Sequence, residues 1–149
     1  MTPALKLLFD ENFGKPLVER LAGLLTVFPE KPAISHVLDL YAQGRPDDEW
    51  IPKVAKEGWI VVSGDRARRY GGAKLPRICA QLNVTHILLS GKLHEMKQAE
   101  KIRAIVTVWP QIVAQLPAAV KGTRFSLRLS QHGYPTLVNC ARLTPAPSV

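Results

Sequence analysis

Four aspartates fall at places where side chains can do chemistry together. Asp10 ends the apolar run Ala4 to Phe9, Asp39 ends Ile34 to Leu38, and Asp65 follows Trp59 to Val62 by way of Ser63-Gly64. Asp47 opens a helical pattern after the loop Gly44-Arg45-Pro46 and is followed by Asp48 and Glu49. If those apolar runs are parallel strands, their carboxyl ends share one edge, which is where α/β sheets bind ligands. Two carboxylates about 4 Å apart repel by roughly 1 kcal/mol in water and about 4 kcal/mol at an effective dielectric of 20. A group of them therefore holds a proton or a cation. All-oxygen ligation suits Mg²⁺ or Mn²⁺. Such an ion beside cationic residues suits phosphodiester hydrolysis. Each acid taken alone has an ordinary alternative: Asp47 as a helix N-cap, Asp48 and Glu49 as dipole charges, Asp10 and Asp65 as turn formers.

The elements that must position these acids are legible as alternating patterns. Leu17, Val18, Leu21, Leu24 and Leu25 recur at helical spacing over 15–25. Trp50, Val54 and Ala55 do the same up to Gly58, a natural stop, with Pro52 in or just past the first turn. Leu75, Ile78, Cys79 and Leu82 mark a further helix, and His86 to Leu89 a fourth strand. A longer helix is expected over 94–109, bent or broken at Pro110 and closed before Pro117. Arg124, Ser126 and Arg128 alternate with Phe125, Leu127 and Leu129, and with 136–143 they predict a hairpin across Gln131-His132-Gly133. Strands alternating with helices predict an α/β layer fold with a mostly parallel sheet, to which the hairpin is an addition. The Pro-rich tail from Thr144 should be loose.

Composition narrows the class. The 149 residues are 46% hydrophobic and 21% charged, ordinary for one globular domain. Cys79 and Cys140 are too few for a disulfide framework or a cysteine-rich zinc module. No membrane-length apolar run is present, and Asp10-Glu11 comes too soon for a signal-peptide core, so the expectation is a reduced, cytoplasmic protein. The net charge of +8 is unevenly spread: residues 1–75 hold 11 basic and 10 acidic residues, residues 76–149 hold 9 and 2. Such a balance favours a polyanionic partner, nucleic acid foremost. From 66 to 94 there is no acid, while Arg66, Arg68, Arg69, Lys74, Arg77 and Lys92 gather there with Tyr70. Arg and Lys hold phosphates without sequence choice, and Tyr stacks on an unpaired base. The plainer alternative is a solvated loop.

Among the other candidates, His36, His86, His94 and His132 lack zinc spacing. His36 and His86 sit in apolar strands and read as structural. His94, after the fourth strand, falls at the same edge as the acids, where it would either touch a phosphate or serve as an ordinary helix-start residue. Cys79 and the three tryptophans read as packing, and no nucleophile elbow surrounds Ser63.

The stretch Asp47-Asp48-Glu49-Trp50 through Ile60-Val61-Val62-Ser63-Gly64-Asp65 resembles the closing half of the PIN nuclease core. There an Asp opens a helix, a Gly ends it, an apolar strand follows and a Ser/Thr-x-Asp turn supplies the last acid. Phe9-Asp10-Glu11-Asn12 is similar to the opening of the shorter PIN-like proteins, and His36 to Leu40 fits their second strand. The resemblance spans roughly residues 4–90. It implies a three-layer PIN-like (Rossmann-like) fold over 1–120, with 121–149 a hairpin and tail of the same domain. It also implies a metal-dependent ribonuclease, and points to the toxin of a type II, VapC-type toxin–antitoxin pair. Carried over, Asp10, Asp47 and Asp65 are the metal-binding acids, with Asp39 as a further catalytic acid. Arg66, Arg68, Arg69 and Lys74 would hold the RNA, and an acidic antitoxin segment would cover that strip. Two departures stand out. The middle Glu-bearing helical segment of longer PIN domains has no counterpart, and Arg66-Ala67-Arg68-Arg69 stands where the family often repeats Asp-Phe. The alternative is a non-catalytic RNA- or protein-binding module on the same fold. The hairpin could also pair edge to edge with a second copy to give a homodimer, though covering the chain's own sheet is the simpler use.

Overall fold

The structure, a computed structural model, describes residues 5–10, 13–40, 47–64 and 74–142. Six strands in it form one sheet: β1 (Lys6–Phe9), β2 (Ala33–His36), β3 (Ile60–Gly64), β4 (His86–Leu89), β5 (Thr123–Leu129) and β6 (Pro135–Arg142). Their order is β2-β1-β3-β4-β5-β6. The first five are parallel, and β6 alone runs back, antiparallel to β5. The fold is thus α/β with a mostly parallel sheet and a C-terminal antiparallel hairpin. Phe9 lies beside both His36 and Val62, and Leu89 beside Gly64 and Leu127, so the strands' carboxyl ends line one edge. The tail from 143 on, expected to be loose, lies outside the described residues.

Period-two alternation sends side chains to two faces. Leu7, Phe9, Val62, Ile87, Leu89, Phe125, Leu127 and Leu137 meet α1 (Lys15–Leu25) and α6 (Gln98–Gln115) in the larger core. The stripe Leu17, Val18, Leu21, Leu25 on α1 and the stripe Ala104, Ile105, Val108, Trp109, Ile112 on α6 follow helical spacing. Leu8 and Val61 face the other way. They pack under α3 (Asp47–Glu57) and α4 (Lys74–Gln81) with Trp50, Ile51, Val54 and Cys79. Each fully buried Leu, Ile or Phe contributes roughly 1.5–3 kcal/mol. The helix at 47–57 stops where expected: Gly58 takes φ 77°, and the N–H groups of Gly58 and Trp59 donate to the Val54 carbonyl at 3.0 and 3.3 Å. Pro52 lies inside this helix, deeper than its first turn.

The third strand runs Ile60–Gly64 rather than 59–62, and two larger differences from the sequence expectation stand out. The second strand ends at His36 rather than 38, and Val37–Leu40 forms a helical turn, α2. The cause is local: the Leu38 N–H donates to His36 Nδ1 at 3.0 Å and bends the chain out of the sheet. The long helix does not break at Pro110. It runs from 98 to 115, after a separate turn α5 (Gly91–His94). Pro110 is exposed, while Val108, Trp109 and Ile112 are buried around it. A proline inside a helix costs about 3 kcal/mol, and the burial of those three side chains outweighs it.

Candidate functional site

Asp10 is the first residue past β1. Its N–H donates to the Val62 carbonyl at 3.1 Å, extending the β1–β3 ladder, and its own carbonyl accepts from the Phe13 N–H at 3.1 Å. The residue is only 8% exposed. Burying an ionised carboxylate is costly unless a cation or strong donors meet it. The neighbouring His36 is almost wholly buried and uses both ring nitrogens. Nδ1 accepts from Leu38, so Nε2 carries the proton and donates to the Phe13 carbonyl at 2.7 Å. One neutral imidazole thereby ties the turn after Asp10 to the junction of β2 and α2. The structural role expected for His36 is what the geometry shows, and it acts on the acid's own turn.

Asp39 stands on that short helical turn. Its carboxylate pairs with Lys15 Nζ at 2.6 Å, both side chains about half exposed at 49% and 46%. A hydrogen bond and the charge of Asp39 raise the Lys15 pKa. Asp39 is therefore engaged at the start of α1.

The third strand ends at Gly64, directly before Asp65 in sequence. A side chain at Gly64 would collide with the His94 imidazole, so glycine is what lets that ring lie across the end of β3. The His94 N–H donates to the Ser90 carbonyl at 2.7 Å. The ring stands edge-on to Phe13 at 6.5 Å, and Phe13 stands edge-on to Phe9 at 5.2 Å. Lys101, 9% exposed, places its Nζ 5.8 Å from the Phe13 ring centre. An aromatic cluster with one nearly buried cation thus adjoins the turn that follows Asp10. Sequence reasoning singled out His94 but missed Lys101. The signal was available: 101 belongs to the same helical stripe as 104, 105, 108 and 112, and a lysine in an apolar stripe asks for an explanation.

Farther along the sheet, Ser63 Oγ and His86 Nε2 share a buried hydrogen bond of 2.5 Å. Burial, and secondly the charge of Arg124 on the adjacent strand, lower the His86 pKa from 6.5 to about 3. His86 is therefore a neutral structural residue, as its apolar strand suggests.

Asp47 is the first residue of α3, as expected, and Lys74 the first of α4. Each helix leads into a strand that starts at the opposite edge, so each helix begins at the carboxyl edge. The side chains of Asp47 and Lys74, and the whole of Asp65, Arg66, Arg68 and Arg69, lie outside the described residues. Among the described residues no three His, Cys, Asp or Glu side chains gather to hold a metal ion, and no helix is long and apolar enough to cross a membrane.

A family model described as a PIN-like domain matches residues 5–90. That span runs from the start of β1 through β4 and stops before the hairpin. No curated protein and no solved structure matches the chain.

Proposed function

The chain belongs to the PIN-like domain family, a group generally associated with nuclease activity and divalent metals, and on that premise we propose that it is a metal-dependent ribonuclease, the toxin of a type II toxin–antitoxin pair. The observation that supports this most is Asp10: a nearly buried carboxylate held at the carboxyl end of a parallel strand by a backbone hydrogen bond to Val62. A donor set of Asp10, Asp47 and Asp65 is all carboxylate oxygen, which fits Mg²⁺ or Mn²⁺. When bound, such an ion supplies a water of lowered pKa and positive charge beside the phosphoryl oxygens.

The protein's own residues do the rest. The His36 hydrogen bonds anchor Phe13, whose N–H is bonded to the Asp10 carbonyl, and so would hold Asp10 in place for a cation. Gly64 keeps the end of β3 clear for His94, within reach of a phosphate oxygen in this reading. Lys101 adds positive charge at the same edge. Arg66, Arg68, Arg69 and Lys74 hold the RNA backbone, and an acidic segment of the antitoxin covers them in the resting pair. Asp39, paired with Lys15, assists from the rim.

The test is cleavage of single-stranded RNA in Mn²⁺ and in EDTA. Asp10→Asn should lower the Mn²⁺-dependent rate by more than about a hundredfold, beyond the loss expected for a merely supporting residue, with an unchanged unfolding midpoint. Cleavage at the parental rate by Asp10→Asn overturns the assignment. RNA bound but never cut by the parent protein points instead to the non-catalytic module.

A further inference from the structure

The sheet face under α3 and α4 changes character partway across. Among the described residues its apolar cluster draws on β1 and β3 and includes nothing from β4, β5 or β6. From Ser63 on β3 outward the same face mixes His86, Arg124, Ser126 and Arg128 with Leu88 and Val138; Ser63, His86 and Ser126 are buried, α4 reaches β5, and Ser63 and His86 share a hydrogen bond. Arg128 is exposed and lies across the hairpin: its Nε donates to Ser126 Oγ at 3.2 Å and its Nη2 to Cys140 Sγ at 3.5 Å. Neither Arg124 nor Arg128 is in an ion pair among the described residues, and the buried Nε of Arg124 has no hydrogen-bond partner there. No Asp or Glu stands between Lys101 and Val149 in the sequence. The Arg124 charge is strong enough to disfavour protonation of His86.

The hairpin turn adds a second, independent feature. Because β5 is parallel to β4, its end and the following turn lie at the carboxyl edge, the edge of Asp10 and Gly64. Tyr134, just after that turn, is 72% exposed. β5 is three strand positions from β1, roughly 14 Å, a span that a few nucleotides of one strand can bridge.

We infer that the exposed end of β5 at Arg128 and the tip of the β5–β6 hairpin dock single-stranded RNA, with Arg128 on a phosphate and Tyr134 stacked on an unpaired base. The inference rests on the ribonuclease reading only for the identity of the polyanion. The hairpin is outside the family match, so nothing here is carried over from relatives. An exposed aromatic ring on the same hairpin as an exposed arginine outside any ion pair among the described residues selects a single strand, since a paired base offers no open face.

The experiment is fluorescence anisotropy of a short fluorescein-labelled oligouridylate with the full chain in EDTA, across a range of salt concentrations. Arg128→Ala should weaken binding about tenfold and lower the salt slope by about one phosphate contact. Tyr134→Ala should weaken binding about fivefold or more with an unchanged slope, and Tyr134→Phe should restore it. Arg128→Lys should keep most of the affinity. Both positions are exposed, so unfolding midpoints should not move. Variants that bind like the parent, or a parent that does not bind, overturn the inference. So does a parent that prefers polyglutamate, which assigns the face to an acidic protein. If Asp10→Asn still cleaves RNA in Mn²⁺ as fast as the parent, the nuclease reading fails on its own, while the anisotropy data in EDTA decide the docking face separately.

Discussion

The two faces of the sheet are built for different ends. The face toward α1 and α6 is apolar across five strands, from Leu7 on β1 through Val62, Ile87 and Phe125 to Leu137 on β6. The face toward α3 and α4 has its apolar cluster at Leu8 and Val61, then turns mixed, with Ser63, His86, Arg124 and Ser126 beside Leu88 and Val138. Hydrophobic burial scales with apolar area, so the first face carries most of the folding energy. The second carries a smaller apolar cluster, and past it the buried Ser63, His86 and Ser126 are held by hydrogen bonds to neighbouring side chains. The two sides of one sheet are thus stabilised by different forces.

The contrast can be broken at either face. The largest expected effect is at the first: Phe125→Ala removes a fully buried ring between β4 and β6 and should destabilise by ~3–5 kcal/mol. Urea unfolding measures it, and a loss below about 1 kcal/mol would mean that this face is not the main core. The polar face should respond to pH instead. His86 titrates near 3 in the folded chain, below its ordinary 6.5, because burial and then Arg124 disfavour its charge. The unfolded chain therefore binds the extra proton first. Stability is full above about pH 6.5 and falls as pH drops toward about 3, by up to about 1.4 kcal/mol per unit. His86→Gln, which keeps a partner for Ser63 but cannot titrate, should flatten that limb in unfolding curves taken across the window. The smallest effect belongs to the rim: Lys15→Met removes an exposed ion pair with Asp39 and should leave the unfolding midpoint where it was.

Much of the fold was legible because its elements have strong local patterns. The four-residue run His86–Leu89 and the helix over 15–25 match the structure to the residue, although Leu24 of the expected stripe is exposed. Gly58 ends its helix because a left-handed φ is what glycine permits. Other features were hidden because tertiary contacts decide them. Pro110 reads as a break, yet packing around Trp109 carries the helix through it. The alternation over 123–129 identifies a strand but cannot name its neighbour, and β5 proves to be a fifth parallel strand that extends the sheet. Of the site, the positions of Asp10 and the start of α3 follow from pattern. The engagement of Asp39 by Lys15, and the use of His36 to fasten the turn after Asp10, depend on side chains that are distant in sequence. A lysine at 101 looks like helix surface until its neighbours in the stripe are counted as core.

The turn from Ser130 to Tyr134 is closed by its own backbone: Gly133 N–H to the Ser130 carbonyl at 2.9 Å and Ser130 N–H to the Tyr134 carbonyl at 2.7 Å. It is a self-contained loop, with Gly133 at φ 82° and no packed side chain behind it. Residues grafted there would grow out past the end of the sheet without disturbing either core, which makes this loop a natural place for an insertion.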